Sequence, residues 1–164
     1  AFSGNPGSEI TTDCANGVRF VGSAEVTSNS TSQPLQGLVN QLNLSVPNGE
    51  AYGSFSSDDA TNTVVMPLIM DRNSSYFTGI NVMNVGDSTT TVDCTFTDTS
   101  YSISQSLASG EALTDIQQNK IADGYIGAGT CTTSDSSGKI VATVNQLNQV
   151  SAGDQLLVYE GINR

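Results

Sequence analysis

Three cysteines, sixteen carboxylates and no histidine are the side chains of this 164-residue sequence from which chemistry could be built. Without imidazole, Ser-His-Asp and Cys-His nucleophilic arrangements are ruled out, as are histidine-ligated metals. Hydrolysis by carboxylates needs a pair of acids serving as general acid and base, and the local groupings are Asp93 with Asp98 and Asp58 with Asp59. Asp93 and Asp98 are separated by an odd number of positions, so a regular strand points them to opposite faces. Asp58, Asp59 and Asn62 offer oxygen ligands for calcium, but in no recognised ligand spacing. Neither a P-loop nor a dinucleotide fingerprint occurs. The expectation is a protein that is not an enzyme and takes no cofactor and no metal.

Charge narrows the partners. The formal net charge is −11, and the five cations, Arg19, Arg72, Lys120, Lys139 and Arg164, stand singly. Neutralising phosphates takes a clustered Lys/Arg surface, so nucleic acid and anionic membranes are disfavoured. No run approaches the roughly 18 apolar residues of a membrane helix. The nearest, residues 64–70, is broken by Pro67. Ser, Thr, Gly and Asn make 70 of the 164 residues, an uncharged-polar bias that favours an exported β protein over a helical one. The sequence opens on Ala, which reads as a mature chain released at a small-residue cleavage site and so as a secreted, extracellular or cell-surface protein.

The elements that position these residues are announced by an internal repeat. Residues 39–43 read VNQLN and residues 144–148 read VNQLN again, 105 positions later. The offset persists around the pentamer: FVGSA at 20–24 answers YIGAG at 125–129, Thr27 answers Thr132, and Leu35 answers Ile140. After the turn an offset of 104 is expected, matching Gly49 with Gly153 and Phe55 with Tyr159. Each copy, block B, reads as three strands, the last two closing a hairpin through Pro47-Asn48-Gly49 or through residues 151–154. Between the copies lies a different block, A, with strands at 64–70, 76–85, 89–98 and 111–117. The stretch 107–122 has helix-forming composition, but Gly110 after Ser109 favours a turn and a short strand. The order is B-A-B, a complete module preceded by an orphan half. Residues 1–13 read as an N-terminal arm and potential donor strand, 14–57 as the orphan half-module, 58–63 as a linker and 64–164 as the complete module. The fold class is all-β, an Ig-like or jelly-roll-type sandwich with the additional half-module.

Alternation along Val92, Cys94 and Phe96 turns Cys94 inward, and Cys131 answers Val26 of the first copy, so both sulfurs point into one module. A bridge between them would close a 37-residue span, worth about 3 to 4 kcal/mol in the loop-entropy account. Two other readings stand beside it: a pair of buried thiols acting as small hydrophobes, and a Cys14–Cys94 bridge. Cys14, in the polar run TTDCAN, is expected to be free or paired between subunits.

The order VVMPLIM (64–70), YFTGINVMNVG (76–86), a Ser/Thr-rich strand, GYIG (124–127), VNQ (144–146) and YEGI (159–162) resembles the roughly hundred-residue β-sandwich modules repeated in tandem in large secreted surface proteins of filamentous bacteria. The match runs from Val18 to Ile162, and the chain departs from the pattern by starting in mid-module. The resemblance implies structural or adhesive work outside the cell.

The apolar stripes of the orphan half need cover, either from the same chain or from a neighbouring subunit. The leading expectation is a subunit of an extracellular filament or surface array, a homopolymer completed head-to-tail by strands from copies of itself, with Phe2, Ile10, Phe20, Val26, Leu38, Leu42 and Phe55 at the interface. The alternative is a monomeric adhesin or carbohydrate-binding module using Tyr76, Phe77, Tyr101 or Tyr125, with glycans as partners. Acceptor patterns for N-glycosylation occur at Asn29, Asn43 and Asn73.

Overall fold

The computed structural model describes residues 24–30, 32–43, 48–148, 150 and 153–164, with Leu42 and Asn43 placed by their backbone alone. The strands are β1 (Leu38–Asn43), β2 (Asn48–Gly53), β3 (Thr63–Asp71), β4 (Tyr76–Asn84), β5 (Thr90–Phe96), β6 (Ser102–Leu107), β7 (Ala112–Ile116), β8 (Tyr125–Thr133), β9 (Ile140–Asn148), β10 (Leu156–Glu160) and β11 (Ile162–Asn163). Two antiparallel sheets, in the orders β10-β9-β4-β7 and β11-β3-β8-β5-β6, face each other, and β1 with β2 forms a separate hairpin. The architecture is all-β and sandwich-like.

Alternation decides what the sheets share. In β5, Val92, Cys94 and Phe96 are buried while Asp93 and Thr95 face solvent. From the opposite sheet come Ile80, Val82, Ile140 and Val144, each fully buried in the same cluster, and each worth about 1.5 to 3 kcal/mol against exposure. Cys94 lies directly opposite Cys131 on the neighbouring strand β8, and the two form a disulfide with Cα atoms 4.0 Å apart.

Pro67 interrupts β3. It has no N–H to give the ladder, and the β3–β8 register shifts between Met66 and Ile69. The freed backbone of Leu68 is satisfied from the other sheet. Its N–H donates to the Tyr159 hydroxyl at 3.2 Å, and its carbonyl accepts from Gln146 Nε2 at 2.7 Å and from the same hydroxyl. Gln146 Oε1 in turn accepts from Thr78 Oγ1, which accepts from the Met70 N–H, both at 2.7 Å. A buried polar chain thus stitches the bulge to β4, β9 and β10. Burial drives the Tyr159 hydroxyl up to about 12, its hydrogen bonds with Leu68 and Gln146 offsetting part of that rise.

Several expectations change. Residues 58–63 are no free linker: Ala60 is buried, Thr61 bridges Ile140, and the Thr133 N–H donates to the Asn62 carbonyl. The Gly110 turn has φ of +79°, and a short strand, β7, follows it. β6 and β11 were not expected. In the first copy, residues 24–30 and 32–37 form no strand, so Val26 does not share the fate of Cys131. Cys131 has a β-ladder on both sides, from β3 and β5, and among the described residues nothing equivalent flanks Val26. The turn expected at Asn48-Gly49 also differs, because both residues belong to β2.

The hairpins of the two copies agree. Val39 lies opposite Tyr52 as Val144 lies opposite Tyr159. The return strands therefore correspond at an offset of 107, not 104, and Tyr52 rather than Phe55 answers Tyr159. The reason is the length of the connection: four residues lie between Asn43 and its partner Asn48, six between Asn148 and Gln155.

Candidate functional site

The first-copy hairpin is where sequence and environment disagree. β2 runs alongside β10 without a backbone ladder between them. Side chains make the join: Asp154 accepts from the Gly49 N–H at 3.1 Å, Glu160 from the Gly53 N–H at 3.0 Å, and Asn48 from the Gln155 N–H at 3.1 Å. Among the described residues β1 has one neighbour, β2.

Repeat-matched residues have opposite surroundings in the two copies. Ile140, Val144 and Cys131 are 0% exposed, whereas Leu35, Val39 and Val26 are 57%, 37% and 75% exposed. Leu38, at the start of β1, is 68% exposed. The hairpin also repeats a polar pair: the register sets Gln41 and Tyr52 on one face of the first hairpin as it sets Gln146 and Tyr159 on one face of the second. Burial raises the Tyr52 hydroxyl above its ordinary value; the Gln41 side chain opposes that rise and Glu160 adds to it. In the second copy the pair grips the Leu68 backbone. In the first, among the described residues, no strand lies across it.

The site residues expected from the sequence divide. Leu38 and Val26 are exposed, and Leu42 pairs with Gly49. Phe55 is half-buried against the small cluster of Ala60, Met83 and Val141, so it is used within the chain. Phe2, Ile10, Cys14 and Phe20 lie outside the described residues. Asn29 is exposed. Asn43 sits in β1. Asn73 occupies the turn after β3, and its Nδ2 donates to the Gly124 carbonyl at 2.9 Å. A glycan on that nitrogen would compete with the bond holding the turn.

The acids are arranged for structure. Asp93, Asp98, Asp58 and Asp59 are all exposed. Among the described residues no group of three or more Cys, Asp or Glu could hold a metal. Asp71 is fully buried, and its carboxylate accepts from the N–H groups of Asn119, Lys120 and Ile121 at 2.9 to 3.1 Å and from Arg72 Nε at 2.8 Å. Burial alone would raise its pKa, but the Arg72 bond and charge and the Asn119 and Ile121 amides outweigh it and hold the carboxyl below the usual range. Asp115 accepts from the Tyr101 hydroxyl at 2.7 Å, from Gln117 Nε2 at 2.8 Å and from Lys120 Nζ. Burial, then this carboxylate, drives the Tyr101 hydroxyl well up. Tyr101 also stacks on Phe96 with ring centroids 5.4 Å apart. Both acids fasten the loop that follows β7.

No family model matches the sequence, and no curated protein matches it. Among solved structures, the crystal structure of Thermotoga maritima 1070 is similar in fold. The likeness has a TM-score of 0.51 and 13% identity, over 65% of this chain and 97% of that one. At that identity it bears on the fold alone.

The aromatics expected at a sugar surface are committed elsewhere. Phe77 is buried, Tyr76 Oη donates to Gln155 Oε1 at 3.0 Å, and Tyr125 Oη donates to the Thr97 carbonyl at 2.8 Å. Sequence reasoning missed Gln41 and Tyr52. The repeated VNQLN contains the glutamine, but the tyrosine was masked by the changed hairpin length.

Proposed function

We propose that this chain is a structural subunit of an extracellular filament or surface array, a B-A-B protein whose first half-module is completed head-to-tail by a neighbouring copy through strand complementation. One observation carries the reading: Leu35, Val39 and Val26 expose what their repeat partners Ile140, Val144 and Cys131 bury completely. Apolar residues patterned for a core but left in solvent mark a surface that associates. A contact between two different faces of one subunit propagates instead of closing. The Cys94–Cys131 bridge favours an oxidising compartment, and no described helix is long and apolar enough to cross a membrane.

Negative-stain electron microscopy of unreduced protein, paired with a sizing column run with and without reductant, tests the reading. Regular filaments or a ladder of oligomers are expected; because reductant also opens Cys94–Cys131, loss of the ladder in a Cys14→Ser variant is what would assign Cys14 to a subunit cross-link. A uniform monomer of 17.0 kDa at high concentration would sink the proposal.

A further inference from the structure

The sequence holds two Pro-Leu dipeptides, and the described residues hold two Gln–Tyr pairs, of which one has a described strand lying across it. Gln146 and Tyr159 hold the Leu68 carbonyl and N–H just after Pro67, on an extended strand. Gln41 and Tyr52 form the same pair on the same hairpin geometry. The second dipeptide, Pro34-Leu35, is exposed, lies outside any strand, and leads into β1. It cannot lie across its own pair. The ladder reaches back to Gly37, whose carbonyl accepts from the Ser54 N–H at 3.0 Å. That places Gly37 about 13 Å from Gln41 along the strand. One residue, Gln36, lies between Leu35 and Gly37, a span of at most about 7 Å and too short to turn the dipeptide back over the pair.

Resting on the filament reading above, we infer that Pro34-Leu35 of one copy seats on the Gln41/Tyr52 face of the next, its Leu35 carbonyl and N–H taking the places that Leu68 holds against Gln146 and Tyr159. The occupant is a second copy for three reasons. The pair's partner in the second hairpin is the main chain of a Pro-Leu dipeptide, and Pro34-Leu35 is the other such dipeptide in the sequence. The donor segment 32–37 bears no charge, so it adds no repulsion of its own where Glu50, opposite Gln41, and Glu160, near Tyr52, flank the receptor. Val39, beside Tyr52, and Leu35 are both exposed apolar residues that such seating would bury. Donor and receptor are different surfaces, so every added copy presents a new receptor.

Mixing variants tests the match. Gln41→Ala with Tyr52→Phe removes the receptor's polar groups, and Leu35→Asp puts a charge on the donor. Each alone is expected to raise the critical concentration for assembly about tenfold or more, with an unchanged melting midpoint of the monomer. Mixed in equal amounts, the two have one sound donor and one sound receptor between them, and dimers that do not elongate are expected on the sizing column. Undiminished assembly of the receptor variant overturns the inference and leaves the filament reading standing. So does a mixture that stays monomeric. A lowered melting midpoint of the Gln41/Tyr52 variant would place the pair's partner within its own chain, also against the inference. Wild-type protein that never assembles removes both.

Discussion

Asp71 gathers four N–H donors around a buried carboxylate, and nothing but a carboxylate can accept them all. An Asp71→Asn change turns one acceptor oxygen into a donor facing donors. It is expected to cost about 3 to 5 kcal/mol, the scale for breaking a buried ion pair, read as a lower denaturant midpoint. The pH dependence follows from the lowered pKa. A carboxyl held down in the folded state adds stability above its unfolded pKa and loses it as pH falls through the folded value. The difference between wild type and Asp71→Asn is therefore full at neutrality and shrinks below about pH 4. The disulfide gives a second residue-scale expectation. Replacing Cys94 and Cys131 together by Ala reopens a 37-residue separation and is expected to cost about 3 to 4 kcal/mol, measured by equilibrium unfolding. That pairing was legible because alternation in β5 turned Cys94 inward and the repeat placed Cys131 at a core position. Val26, the repeat partner of Cys131, is exposed instead, because that position of the repeat is buried only where β3 and β5 flank it. Asp71 was illegible: its donors come from residues 119–121, nearly fifty positions away.

β1 and β2 show how an element can be correct in sequence and unfinished in structure. The hairpin is tied to β10 by Asp154 and Glu160, whose carboxylates accept the Gly49 and Gly53 N–H groups. Asp154→Ala with Glu160→Ala is expected to free it, raising amide hydrogen exchange at Gly49 and Gly53. The melting midpoint of the sandwich should hold, because these exposed bonds lie outside its core. Exchange unchanged at both amides would mean that the hairpin is held by something else. Strands with a buried alternating face, such as β5 and β9, could be read directly. β6 could not, since SISQSL exposes most of its residues and offers a solitary buried side chain, Leu107. The register of β2 was misread because a two-residue difference in a connection shifts every correspondence after it without touching the strands.

At the scale of the whole molecule, charge and shape make opposing demands on assembly. Copies of net charge −11 repel one another, while the hairpin offers an uncharged strand and exposed apolar residues for them to meet on. Salt separates the two effects. Raising ionic strength from about 0.01 M to about 1 M shortens the screening length from about 30 Å to about 3 Å. That weakens the long-range repulsion and leaves the burial of Leu35 and Val39 intact. The critical concentration for assembly, followed by light scattering, is expected to fall as salt rises. It is also expected to fall as pH drops toward the isoelectric point near 4.1. Acid has a limit that salt does not. Below about pH 4 the Asp71 carboxyl starts to lose its contribution, so assembly gained by neutralising the surface is lost to unfolding of the subunit, giving a narrow acidic optimum but a monotonic response to salt. Assembly that dissolves as salt rises would point instead to ion pairs across the interface. The contact would then lie among the carboxylates and the scattered cations, away from the hairpin.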